Sequence, residues 1–228
     1  MKVGVLLPTF RPGANDALAA ADEAVRHGLD GVFAYDHLWP MGHPQRPSLA
    51  PFPLLAVIAR RNPELTMGPL VARVGLVGTS QLVEEFHTLA ALAPGRVIAT
   101  LGTGDKLSEA ENLAYGLAPR SAGERRLLVE EAARSLRDDM SVWIGAGAPA
   151  TNELARSLSV TLNIWDRPVT DVALVAREGD TSWAGNARDD LETHLDGLAA
   201  AGASWAVFAP TVDVARLGRW RRTHLETL

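Results

Sequence analysis

Cysteine is absent from the 228 residues, so disulfides and thiolate metal sites are excluded. No apolar run approaches the ~18 residues of a membrane span. There is no basic excess: 22 Lys and Arg face 27 Asp and Glu, for a formal net charge of -5. That balance argues against nucleic acid or an anionic membrane as a partner. The opening MKVGVLLPTF carries one lysine and a short apolar run, and reads as a strand, not a signal peptide. A soluble cytoplasmic protein is expected. No Gly-Xaa-Ser-Xaa-Gly elbow is present, so hydrolase chemistry has no visible nucleophile. No close set of His, Asp and Glu has metal-ligand spacing, and no metal is expected. His43, His87, His194 and His224 are scattered and read as surface or core residues.

What is present is alternation. Hydrophobic residues make up 47% of the chain, enough for one sizeable core. Short apolar runs read as strands at Val3–Leu7, Gly31–Tyr35, Leu65–Ala72, Arg96–Leu101, Val142–Ile144, Val160–Trp165, Thr181–Ala184 and Trp205–Ala209. Helical spacing separates them at Asp16–His27, Pro53–Arg61, Ser80–Ala93, Ala122–Arg137, Asn152–Leu158, Asp171–Glu178 and Ala187–Ala201, with a terminal helix over Val212–Leu228. Gly102–Pro119 reads as a long loop. Strands alternating with helix-length crossovers imply parallel pairing. Eight such units in one domain over residues 1–228 imply an α/β fold, a (β/α)8 TIM barrel, with a doubly wound sheet as the alternative.

Four segments carry the chemistry, each after a strand and so on the face where such barrels keep their sites. The first is Tyr35-Asp36-His37-Leu38-Trp39-Pro40. An imidazole there can exchange a proton at neutral pH. Asp36 either orients it or satisfies loop backbone. The second is Gly68-Pro69-Leu70-Val71-Ala72, where Gly and Pro distort the strand end and let backbone approach a flat ligand. The third is Leu101-Gly102-Thr103-Gly104-Asp105, followed by Ser108, Glu109 and Glu111. Its glycines bring amides near a ligand, and Asp105 is a candidate acid or base. The fourth is Gly145-Ala146-Gly147-Ala148-Pro149, a glycine-rich loop feeding a helix and suited to a cofactor phosphate. Taken singly, the first is as readily a turn with a surface histidine, the second more readily a bulge and the third more readily an ordinary loop, while the fourth lacks the P-loop lysine and the full dinucleotide spacing.

In this order the motifs resemble the luciferase-like monooxygenase family. The resemblance runs through VGVLLP, AADEAVRHGLDGVFAYDHLWP, LTMGPLV, LAALAPGRV, ATLGTGDKLSEAENLAYG, VWIGAGAP and AAAGASWAVFAP. GPLV and LGTG look most like the branch that uses coenzyme F420. The resemblance implies a barrel with a flavin or deazaflavin at its mouth and His37 and Asp105 as catalytic residues. It implies cofactor contacts from Asp36, Thr103, Gly104 and Ser108. It further implies that Leu70, Val71 and Ala72 back the ring, often through a non-proline cis peptide, and that Gly145, Ala146, Gly147 and Ala148 hold the phosphate. The expected function is hydride transfer between coenzyme F420 and a small organic substrate. The alternatives are an FMN-dependent monooxygenase and a non-catalytic flavin-binding protein. Relatives commonly dimerise, so a homodimer is expected. Two segments are shorter than in the family, Arg137–Ser141 and the stretch between the sixth and seventh strands, and these shortened insertions imply an open site, a site completed by a partner, or a member that binds cofactor but turns over poorly.

Overall fold

The computed structural model describes residues 1–104 and 108–225. Nine parallel strands follow one another around a barrel: β1 (Lys2–Leu6), β2 (Gly31–Ala34), β3 (Thr66–Pro69), β4 (Ala72–Arg73), β5 (Ile98–Gly102), β6 (Ser141–Gly145), β7 (Thr161–Trp165), β8 (Thr181–Gly185) and β9 (Trp205–Phe208). Their order is β3-β2-β1-β9-β8-β7-β6-β5-β4. The third and fourth are two halves of one stave. β3 pairs with β2 and β4 with β5, and the two are separated by Leu70 and Val71, whose joining peptide is cis. A bridge between Met67 and Val97 completes the circle. Eight stave positions result, as the alternation implied, and Gly68-Pro69 marks the interrupted one.

The helices are α1 (Asn15–His27), α2 (Pro51–Arg61), α3 (Thr79–Leu92), α4 (Glu109–Ala114), α5 (Ala122–Leu136), α6 (Pro149–Ser157), α7 (Val169–Ala176), α8 (Leu191–Ala200) and α9 (Val214–Leu225). Local chemistry sets their ends. Gly28, at φ 72°, closes α1 by donating to the carbonyls of Ala24 and Val25. Ser121 and Glu124 form a reciprocal capping box on α5. Prolines occupy the first turns of α2 and α6, where no intrahelical N–H is needed. The expected loop from Gly102 to Pro119 is corrected by α4, which lies inside it.

Two apolar layers hold the barrel. The outer one joins strand residues such as Val5, Val32, Ala99 and Ile144 to helix residues such as Ile58, Phe86, Leu89 and Leu136. The inner one fills the lumen with Leu6, Phe33, Leu70, Ile98, Trp143, Ala184, Trp205 and Val207. Phe33 stacks on Trp143 at 5.4 Å and meets Trp205 edge-on at 5.7 Å. Two of the three rings face glycines. A Cβ on Gly31 would lie 3.1 Å from Trp205, and one on Gly4 would lie 3.2 Å from Phe33. The lumen is thus packed solid, and open surface begins only at the carboxyl rim. Among the described residues no helix is long and apolar enough to cross a membrane.

Candidate active site

At the rim, β2 runs directly into Tyr35, Asp36 and His37. Phe10, from the loop after β1, stacks on Tyr35 at 5.0 Å, and the exposed Trp165 approaches Tyr35 edge-on at 6.4 Å. Burial pushes the Tyr35 phenol up to about 12, so it stays neutral near pH 7 and is no base there.

His37 is held from a distant part of the chain. Its Nδ1 lies 2.8 Å from Glu111 Oε1 on α4. A carboxylate has no proton to give, so Nδ1–H donates and Nε2 carries the exchangeable position. Nε2 has no protein partner among the described residues. Glu111 is 1% exposed. Its second oxygen accepts the Leu38 N–H at 2.9 Å and lies 3.0 Å from Arg73 Nη2. One buried carboxylate therefore fixes the ring tautomer, the turn after His37 and a buried guanidinium. Asp36 takes the role of satisfying backbone: its Oδ2 accepts the Arg73 N–H at 2.8 Å. Burial raises its carboxyl above the usual range, against the pull of Arg73.

The other expected residues separate by depth. Leu70 points into the lumen cluster and Ala72 into the outer layer, so of the three bulge residues Val71 alone is half-buried at the rim. Val71 packs over glycine: a Cβ on Gly102 would fall 2.3 Å from its Cγ2, and one on Gly145 3.6 Å from its Cγ1. The result is a small apolar platform between β4, β5 and β6. Thr103 and Gly104 line a neighbouring cleft, and Ser108 is buried at the start of α4. Asp105 lies outside the described residues. In the fourth segment Gly145 is half-buried, the Ala146 amide donates to the Asn163 carbonyl at 2.6 Å, and the Gly147 amide donates to Asn152 Oδ1 at 3.3 Å. Ala148 caps α6, and Pro149 brings no N–H. Two of that loop's amides are thus already engaged. Of the scattered histidines, His194 packs on Trp183 at 4.9 Å, His224 stacks on Trp220, and His87 lies 3.3 Å from Asp139.

Arg73 and Glu111 were not singled out by sequence reasoning as a pair acting on His37. One signal existed: Arg73 is the only charged residue between Glu64 and Glu84. Nothing local links Glu111 to a histidine 74 positions away. No group of three or more metal-ligating side chains occurs among the described residues.

Comparison with known proteins adds a family. The model described as luciferase-like monooxygenase matches residues 1–141. An F420-dependent glucose-6-phosphate dehydrogenase of Nakamurella multipartita is 30% identical over 166 residues, which is 72% of this chain and 46% of that protein. An F420-dependent hydroxymycolic acid dehydrogenase of Mycobacterium tuberculosis is 28% identical over 223 residues, 92% of this chain and 59% of that one. The chain thus spans about half the length of the curated relatives it matches. Among solved structures, an F420-dependent secondary alcohol dehydrogenase in complex with an F420-acetone adduct superposes with a TM-score of 0.80 at 13% identity, covering 96% of this chain and 97% of that one. At that identity the likeness shows the barrel fold alone.

Proposed function

The chain belongs to the luciferase-like monooxygenase family, and from that premise we propose that it is an oxidoreductase moving a hydride between coenzyme F420 and a small organic substrate. The observation that carries the reading is His37, fixed at Nδ1 by a buried carboxylate and without a partner at Nε2 among the described residues, on the same rim as Val71. Relatives named as F420-dependent dehydrogenases supply the choice of cofactor.

The residues fit such a group. Val71 offers an apolar seat for a flat ring, and Gly102 leaves room for Val71 itself, because a Cβ there would fall 2.3 Å from its Cγ2. Thr103 and Gly104 follow β5 next to it, Ser108 begins α4 beyond them, and Asp36 holds the Arg73 backbone on β4, so these residues would contact the cofactor. Gly145, Ala146, Gly147 and Ala148 would flank the phosphate, with most of the binding left to side chains because two amides are engaged. Coenzyme F420, when bound, supplies a ring carbon that gives or accepts hydride. The protein's part is to orient, to exclude water and to move a proton. His37 Nε2 takes or returns that proton, Glu111 holds the ring and stabilises the cation formed, and Asp105 is the second proton carrier. We take residues 1–228 as one barrel domain, acting in the cytoplasm on a small molecule, without nucleic acid, as a homodimer.

The test is titration of the purified chain with coenzyme F420 and with FMN, followed by ring fluorescence. Binding of coenzyme F420 together with its reduction by an alcohol substrate is expected. The variant His37→Ala should retain cofactor affinity and lose about 10²–10⁴ in kcat. Tight FMN binding without coenzyme F420 binding would instead indicate the FMN-dependent monooxygenase. Unchanged turnover in His37→Ala would refute the proton role.

A further inference from the structure

Arg73 is 6% exposed. Its Nη2 stands 3.0 Å from Glu111 at ion-pair distance, yet among the described residues none of its side-chain nitrogens makes an aligned hydrogen bond. A buried guanidinium with unmade hydrogen bonds is costly, and a native fold retains one where something else meets it. Arg73 lines a cleft of about 340 Å³ that lies between β4, β5, α4 and the start of α5. A second orphan belongs to a residue lining the same space: among the described residues Arg125 Nε is buried without a partner, while its Nη1 donates to the Arg120 carbonyl at 2.6 Å. Arg120 is held on that wall by Nη1 donating to the Gly75 carbonyl at 3.0 Å. Gly75 sits at φ 85°, in the left-handed region that favours glycine. Glu109 is the one acid among the described lining residues, and Glu111, which is not among them, is committed to His37, Leu38 and Arg73.

We propose that this cleft is a subsite for an oxyanion, the carboxylate or phosphate of a ligand whose remainder lies at the barrel mouth. Guanidinium forks match the planar oxygens of both groups, and desolvation strengthens the match. Thr103 and Gly104, which line the cleft, directly follow Gly102 beneath Val71, so the cleft and the platform are neighbours in the chain. Whether cofactor or substrate carries the anion rests on the function proposed above; the presence of the subsite does not.

The experiment is calorimetric titration of the full chain with inorganic phosphate and with acetate at constant ionic strength. Saturable one-site binding is expected. Arg73→Lys keeps a charge opposite Glu111 but removes the fork, and Arg125→Gln removes the second orphan at a distance from His37. Each should weaken phosphate by on the order of tenfold or more, whereas Arg134→Gln, whose exposed side chain pairs with Glu130, should not. If Arg73→Lys fails to fold, Arg125→Gln decides. Absence of saturable binding in the wild type, or equal affinity in the variants, overturns the subsite. Repeating the titration with saturating coenzyme F420 separates the sources. Displaced phosphate assigns the cleft to the cofactor's acidic groups, and retained phosphate that competes with substrate assigns it to the substrate. If coenzyme F420 does not bind, the proposed function fails while the phosphate result still stands.

Discussion

Replacing Glu111 by Gln tests the rim as a unit. The wild-type carboxylate receives two N–H donors, at 2.8 Å from His37 and 2.9 Å from Leu38, and stands 3.0 Å from the Arg73 guanidinium. An amide has one oxygen. If that oxygen keeps Leu38, the NH₂ faces His37 Nδ1 and selects the opposite tautomer, with the proton on Nε2. Arg73, at 6% exposure, also loses the partner of its charge. Breaking one side of a buried pair costs about 3–5 kcal/mol. The nearby Asp36 carboxylate retains part of the attraction, so the lower end, about 3 kcal/mol, is expected. For a chain of this size that lowers Tm by roughly 6–12 °C. Removing the stranded charge as well, in Glu111→Gln with Arg73→Met, should recover part of the loss. Urea unfolding of wild type, single and double variants measures this directly. In turnover, the exchanged tautomer should lower kcat by up to about 10⁴ with cofactor affinity nearly unchanged. A single variant within about 1 kcal/mol of wild type, or a double variant less stable than the single, would refute the account of Glu111 as the common anchor.

Two further outcomes follow from the same geometry. Asp36 has a folded-state pKa raised above 3.8, so its protonated form is favoured in the native state. Its contribution to stability is present below 3.8 and is lost as pH rises toward the raised value, because the native state then binds more protons than the unfolded one. Asp36→Asn keeps an acceptor for the Arg73 N–H and should gain on wild type as pH rises from about 4 before levelling off; a pH-independent difference in unfolding free energy would count against buried ionisation. In Gly68→Ala the new Cβ would lie 2.2 Å from the Ile98 carbonyl, which belongs to backbone and cannot swing aside. That substitution should force β3 from β5 and cost about 3 kcal/mol or more, read by thermal melts, while Gly78→Ala, with nothing within 4 Å, should be nearly neutral.

The barrel was legible because parallel staves are apolar runs set apart by helical periodicity, and both signals are local. Even the interrupted stave showed itself, since Gly68 and Pro69 weaken a ladder in any fold. Helix α4 did not. Its six residues, EAENLA, are too short for an apolar stripe and bury only Glu111. The residue that organises the rim therefore sat in a segment read as loop, and its partners Arg73 and His37 come from other staves. Tertiary pairing of charges leaves no periodic trace. The shortened segments were visible by counting, as only four residues, 137–140, separate α5 from β6.

The exchange of space inside the lumen, glycine on β1 and β2 for aromatic rings on β2 and β9, is locked by backbone as well as by rings. A Cβ on Gly31 would lie 3.1 Å from Trp205 but only 2.6 Å from the Thr66 carbonyl, and only the first of these can be trimmed by substitution. Gly4 is held likewise, 3.2 Å from Phe33 and 2.8 Å from the Gly31 carbonyl. Shrinking a ring therefore leaves a void that enlarging its glycine does not fill. Sequence drift in this barrel should fall on the outer layer first, where side chains meet side chains and changes can compensate one another.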